Sequence, residues 1–292
     1  MISKIRTDLA CEAHALWRES AGETSRLPGV RARSDCRDGF EVERVEILDA
    51  EGARALGKAE GRYITVDVSP LLHREENAFG RACELLSQEL RSLLQFPVTS
   101  SYLVVGLGNR AITPDAIGPV CLEHLLVTRH LKQHLPEYFA AFRTVTAVST
   151  GVLGTTGVES SEFVAALCRE LSPCCVIAID ALAARDPQRL CRNIQLSDTG
   201  IVPGSGVGNA RGALNQETLG VPVIALGVPT VVDAATLCCD SGGRCPDEAA
   251  AMFVTPRDID KQVKDMAKLL GYSLNFAFHD GLTMADIDMF LT

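Results

Sequence analysis

The chain has 292 residues, 47% hydrophobic, 22% charged and 5% aromatic, with a formal net charge of −9; this profile suits a globular protein with a substantial core and excludes collagen-like and disordered classes. No run approaches the roughly 18 apolar residues of a membrane span, and the charged start MISKIRTDLACEAH is unlike a secretory signal, so a cytosolic location is expected. The acidic balance, without a long basic run, argues against a nucleic-acid surface, and the 11 cysteines, odd in number, are expected to be free and mostly buried rather than a disulfide framework.

Along the chain, FEVERVEIL from Phe40 and YITVDV from Tyr63 alternate as two half-buried strands, separated by the Gly-punctuated EGARALGKAEGR. They form a small N-terminal β unit, residues 37–70. Glu75 to Gln95 carries Leu86, Leu90, Leu93 and Leu94 on one face and reads as an amphipathic helix. From Ser101 the pattern changes to short apolar runs, SYLVVGLG, FRTVTAVS, CCVIAID and VPVIALGV, with helical stretches at Pro114 to Arg129, Ser160 to Leu171 and Val231 to Leu237. Strands buried on both faces, alternating with helices, predict an α/β fold with a mostly parallel, doubly wound sheet over residues 100–292. CCDSGGRCPDEAA, from Cys238 to Ala251, has turn composition. A last helix is expected to start at Thr255-Pro256-Arg257-Asp258, with Thr255 as cap, and to stop at Gly271.

In an open parallel sheet, ligands bind beyond the carboxyl ends of strands. Asp180 follows CCVIAI directly, and Asp115 lies just past SYLVVGLG in GNRAITPDAIGP. Asp115 also has a structural reading, as a first-turn carboxylate favoured by backbone N–H groups and the helix dipole. Asp180 must be paired, hydrated or functional, because an apolar run leaves a carboxylate costly to bury. Brought together, two such carboxylates would share a proton and could split water, one as base and one as acid. That requires their strands to be neighbours.

Other patterns support less. Asp198-Thr199-Gly200 and Asp240-Ser241-Gly242 match the triplet of pepsin-like proteases but sit in an α/β pattern, and both read as turns. PGSGVGN, with Gly204, Ser205, Gly206 and Gly208, is a candidate substrate loop whose backbone could meet an anion or a peptide main chain, or simply a mobile turn. GLGNRA lacks the third glycine of a dinucleotide fingerprint, and Asp233 reads as a helix cap or supporting partner. His130 and His134 have an i, i+4 spacing without the glutamate of a zinc protease, and Cys238, Cys239 and Cys245 form no CxxC pair. No metal or other cofactor is expected.

RTDLACEAH at Arg6 to His14, VVGLGNRAITPDAIGP at Val104 to Pro119, TRHL at Thr128 to Leu131, AIDALAAR at Ala178 to Arg185, LSDTGIVPGSGVGN at Leu196 to Asn209 and LGVPVIALGVPTVVDA at Leu219 to Ala234 together resemble the germination proteases of spore-forming bacteria. The resemblance covers most of the chain. It implies an aspartic-type endopeptidase that degrades small acid-soluble spore proteins, related in fold to hydrogenase-maturation proteases, with essential aspartates at Asp115 and Asp180. It also implies a phosphorylase/hydrolase-like sheet, a homotetramer, a spore-interior location and an inactive precursor that processes itself. The family cuts after an acidic residue followed by a large apolar one. Asp8-Leu9-Ala10-Cys11-Glu12 repeats that order, so residues 1–8 are expected to be a propeptide released between Asp8 and Leu9, leaving 9–292 as a single peptidase domain. Ser149-Thr150-Gly151 departs from the family's usual Val-Pro-Gly, and the connection after Asp240 is shorter than usual. Two other readings stand beside this one: a metal-dependent maturation-type protease, and a catalytically silent module that binds spore proteins.

Overall fold

The computed structural model describes residues 7–21, 26–94, 100–240 and 252–291. One sheet organises them, with strands β1 (Val30–Arg37), β2 (Phe40–Ile47), β3 (Gly61–Asp67), β4 (Ser101–Leu107), β5 (Thr144–Gly151), β6 (Cys175–Ala184), β7 (Asn193–Ser197), β8 (Val223–Asp233) and β9 (Phe253–Val254). Their order is β1-β2-β3-β7-β8-β6-β4-β5, with β9 paired to the end of β8. The four expected apolar runs are β4, β5, β6 and β8, and they pair in parallel. The rest is antiparallel: β7 runs against β8, and β3 joins β7. The N-terminal β unit is therefore the antiparallel half of the same sheet.

Helices cover both faces. Ala78–Leu93 and Ile259–Phe278 pack on one face with Ile117–Cys121, in the largest apolar cluster. Ser160–Leu171 covers the other face over β4 and β6. Six of the nine described cysteines are buried and all nine are free.

Several local expectations are corrected. The stretch 114–129 is no continuous helix: Thr113–Asp115 is a single 3-10 turn, Ile117–Cys121 a short helix and Leu125 extended. Within the stretch expected to be helical from Val231 to Leu237, β8 continues to Asp233 before a helix starts at Ala234. The helix expected to be the last begins at Ile259 and runs through Gly271 to Phe278, and a further helix, Met284–Leu291, follows it; the Thr255 hydroxyl bonds the Thr230 carbonyl instead of capping. Gly271 is where this helix crosses the Leu122–His124 turn; a Cβ there would lie 2.5 Å from the His124 Cβ and 2.8 Å from its carbonyl oxygen. Close packing, not termination, requires that glycine. Part of EGARALGKAEGR forms a helix, Ala50–Leu56, capped by Asp49. The segment 241–251, with the shortened connection and the Ser241-Gly242 part of the second triplet, lies outside the described residues, as do residues 1–6.

Candidate active site

β4 lies between β5 and β6, so the chain leaves β4 for a strand on one side and returns through β6 on the other. The β4/β6 seam is the topological switch point, where the connections diverge and leave a crevice beyond the strand ends. Both candidate aspartates stand there. The β4–β6 ladder ends at Gly106 and Ile179. Asp180 is the next residue, and β6 continues past it paired only with β8, Asp180 facing Gly227 in register.

Asp115 is brought to the same place by backbone that tolerates no side chains. Gly108 has φ +101, and a Cβ on it would sit 2.1 Å from the Asp115 carbonyl oxygen, so the loop after β4 folds tightly back over the strand end. Gly118 lies against β4 and β6; its Cβ would come within 2.4 Å of the Leu107 carbonyl oxygen and 2.6 Å of that of Ile179. The turn is braced from β8 by the Thr230 hydroxyl, which donates to the Pro114 carbonyl at 2.7 Å, and from the Ile259–Phe278 helix by Asp260, which accepts from the Thr113 hydroxyl at 2.8 Å. The Asp115 carboxylate accepts the Asn109 N–H at 2.8 Å; it does not cap the helix that follows, whose N-cap is Ala116 without a side-chain bond.

The two environments separate the carboxyls electrostatically. Asp180 is 5% exposed and accepts its neighbour's N–H, Ala181, at 2.9 Å. Burial, then the charge of Asp115 and that of Asp8, hold the Asp180 proton affinity well above the ordinary carboxylate range. Burial also raises that of Asp115, less strongly, against the stabilising Asn109 N–H. Such a pair suits one protonated and one ionised carboxyl.

Both line a cavity of about 580 Å³. Its walls include Gly151 to Gly154, at and just past the end of β5, and the loop carrying Gly204, Ser205 and Gly206. Gly204 and Gly208 are left-handed at φ +73, which turns this loop back on itself, though Gly208 does not line the cavity. Asp8 lines it too, docked against the end of β6. Leu9, beside it, is fully buried in a cluster with Cys11, Leu182 and Val232. Lys58 and Gln195 bond the Asp8 carbonyl; the sequence singled out neither, because both lie in stretches with no spacing signal for a site.

The other candidates lie elsewhere. Asp198 accepts the backbone N–H and the Nε of Arg62, both at 2.7 Å, joining β3 to the end of β7. Asp233 caps the helix after β8 through the Thr236 N–H. His130 and His134 are exposed on the short helix Arg129–His134. Among the described residues no group of three His, Cys, Asp or Glu side chains is placed to hold a metal ion, and no helix is long and apolar enough to cross a membrane.

A family model described as Germination protease matches residues 10–242. A germination protease of Caldanaerobacter subterraneus is 39% identical, the alignment covering 98% of each chain. That of Clostridium perfringens is 36% identical over 98% of this chain and 99% of its own, and that of Bacillus velezensis 44% identical over 81% of this chain and 66% of its own. Among solved structures, a [NiFe] hydrogenase maturation protease, HycI from Thermococcus kodakarensis KOD1, aligns with 64% of this chain and 99% of its own at 15% identity and a TM-score of 0.36.

Proposed function

Because this chain belongs to the germination protease family, we propose that it cleaves small acid-soluble spore proteins by aspartate-activated attack of water, with Asp115 as base and Asp180 as acid. The observation that carries the assignment is the convergence of these two carboxyls on one cavity at the switch point, with Asp180 the more deeply buried. Ionised Asp115 takes a proton from water as the oxygen bonds to the peptide carbonyl carbon, while Asp180 gives its proton to the carbonyl oxygen. The neutral diol then collapses: Asp115 passes its proton to the departing nitrogen, one diol hydroxyl returns a proton to Asp180, and the C–N bond breaks. Both carboxyls end as they began. No charged intermediate has to be stabilised by a cation, which suits a site whose aspartates have none as a hydrogen-bond partner among the described residues.

The reading includes self-activation between Asp8 and Leu9, supported by the presence of Asp8 at the same cavity. Leu9 is sealed in a core cluster, so this bond becomes accessible to the aspartates only when the segment opens locally. Cleavage of a small spore protein by wild type, Asp115→Asn and Asp180→Asn tests the mechanism: each substitution removes almost no volume, and each should cost at least the 10² to 10⁴ typical of acid–base groups. Either variant working within a few-fold of wild type would overturn it. Intact-mass measurement tests activation, with loss of residues 1–8 expected in the wild type alone; loss in the Asp180→Asn protein without added active enzyme contradicts it.

A further inference from the structure

Thr7 and Asp8 form a strap between two cavities. On one side is the 580 Å³ cavity of Asp115 and Asp180; on the other is a cavity of about 1010 Å³ walled by Leu16 and Trp17 of the first helix, with Lys58, Tyr63 and Gln195. Asp8, Leu182, Ser205 and Gly206 line both.

Every polar group of Asp8 is held. Its N–H donates to the Ala183 carbonyl at 2.9 Å, adding a main-chain bond to the end of β6. Its carbonyl accepts from Lys58 Nζ at 2.9 Å and Gln195 Nε2 at 3.1 Å. One carboxylate oxygen accepts the Ala183 N–H and the other the Ser205 hydroxyl, each at 2.9 Å. Gly206 makes the room, since a Cβ there would stand 2.0 Å from Oδ2 of Asp8. These contacts recognise a residue type. The Ala183 N–H requires an acceptor and the Ser205 hydroxyl donates to a second one, and with the Lys58 ammonium nearby and, among the described residues, no carboxylate bonded to it, the pocket favours a side chain with two acceptor oxygens; an amide would satisfy Ser205 only by turning that hydroxyl into an acceptor. Of the three side chains that hold Asp8, only Lys58 is charged, and it holds main-chain carbonyls, those of Thr7 and Asp8. Any peptide could offer those carbonyls.

We propose that Ala183, Ser205, Gly206, Lys58 and Gln195 form a specificity subsite for an acidic residue of a peptide substrate, which Asp8 occupies until it is displaced. The proposal rests on the peptidase reading, and it assigns residues that the aspartate mechanism does not use. A substrate seated there keeps the pairing with β6 and extends into both cavities. Asp8, covalently attached, competes with it at high effective concentration, so the same groups that select the substrate hold the resting chain closed.

The test is binding to the full-length Asp180→Asn protein, followed by the fluorescence of Trp17, the chain's single tryptophan, which lines the larger cavity. The probes are a capped peptide with this chain's residues 4–12 and the same peptide carrying Asp8→Asn. The acidic peptide should bind about tenfold more tightly than its amide counterpart. Asp8→Ala in the protein should strengthen acidic-peptide binding by about tenfold or more, by removing the internal competitor. Gly206→Ala and Ser205→Ala should narrow the difference between the two peptides towards none, with circular dichroism checking their folds. Equal affinity for both peptides, or unchanged discrimination in folded Gly206→Ala and Ser205→Ala proteins, overturns the proposal. Because the readout needs no hydrolysis, discrimination in binding alongside an uncut spore protein would sink the catalytic reading and leave the subsite standing, and the reverse result would do the opposite.

Discussion

The two halves of the sheet treat charge in opposite ways. In the antiparallel half β2 shows a buried-exposed alternation at Phe40, Glu41 and Val42, and charged side chains are ion-paired: Arg31 with Glu46, Arg44 with Asp35 and with the buried Glu89 of the helix packed on it, Arg62 with Asp198. In the parallel half β6 is buried along nearly its whole length, and its one carboxylate, Asp180, is bonded to a backbone N–H with another carboxylate as its strongest electrostatic neighbour. A paired half-exposed carboxylate contributes modestly to stability. A buried one beside a like charge is costly to keep, and a fold that keeps it at a switch point makes it available for proton transfer.

The contrast can be broken most forcefully at the aspartates themselves. Asp180→Asn should abolish turnover, whereas Asp198→Ala should stay active while losing about 1 kcal/mol of stability with its Arg62 contacts; a folded Asp198→Ala protein without turnover would show that the wrong half was assigned the chemistry. Gly118→Ala should cost several kcal/mol or lower activity sharply, because backbone oxygens of β4 and β6 occupy the space of the new methyl; denaturant unfolding together with turnover separates the two effects.

Proton affinity sharpens the comparison next. His279 is 2% exposed, and burial with nearby Arg143 pushes its pKa down to about 4. The unfolded chain, with a His near the ordinary 6.5, binds the proton first, so this contribution is fully present above pH 6.5 and is lost as pH falls towards 4. At up to about 3 kcal/mol in all, it should be visible in chemical denaturation at pH 7 against pH 4.5, and His279→Phe should flatten that difference. In turnover the raised proton affinity of Asp180 should carry the alkaline limb of a bell-shaped profile above the ordinary carboxylate range, the two limbs belonging to the coupled pair. The smallest effect expected is that of a chelator, which should leave spore-protein cleavage unchanged; a chelator-sensitive, metal-restored activity would favour the maturation-type reading.

The parallel half was the more legible part of the sequence because burial on both faces leaves a signature that needs no partner: the apolar runs of β4, β6 and β8, with Asp115, Asp180 and Asp233 at or beyond their ends, whereas the edge strand β5 is interrupted by Thr144, Thr146 and Ser149. Family motifs at Val104 to Pro119 and Ala178 to Arg185 pointed to Asp115 and Asp180, and the neighbouring strands that the pair needs are β4 and β6. The antiparallel half was legible only as isolated strands. Five-residue β7 carries too short a pattern to show that it bridges β3 to β8, and β1, almost wholly exposed, has no apolar alternation to find.

By itself the sequence determined the α/β class, the strands that carry Asp115 and Asp180, and the family. Those follow from local hydrophobic periodicity and ordered motifs, which survive in one dimension. Only the tertiary structure decided that Gly271 continues a helix, that two aspartates 65 positions apart share a cavity, and that Asp8 is held by Lys58, Ala183, Gln195 and Ser205. Those depend on which backbones approach within a few ångströms, and residues brought together from four distant segments leave no period or spacing along the chain.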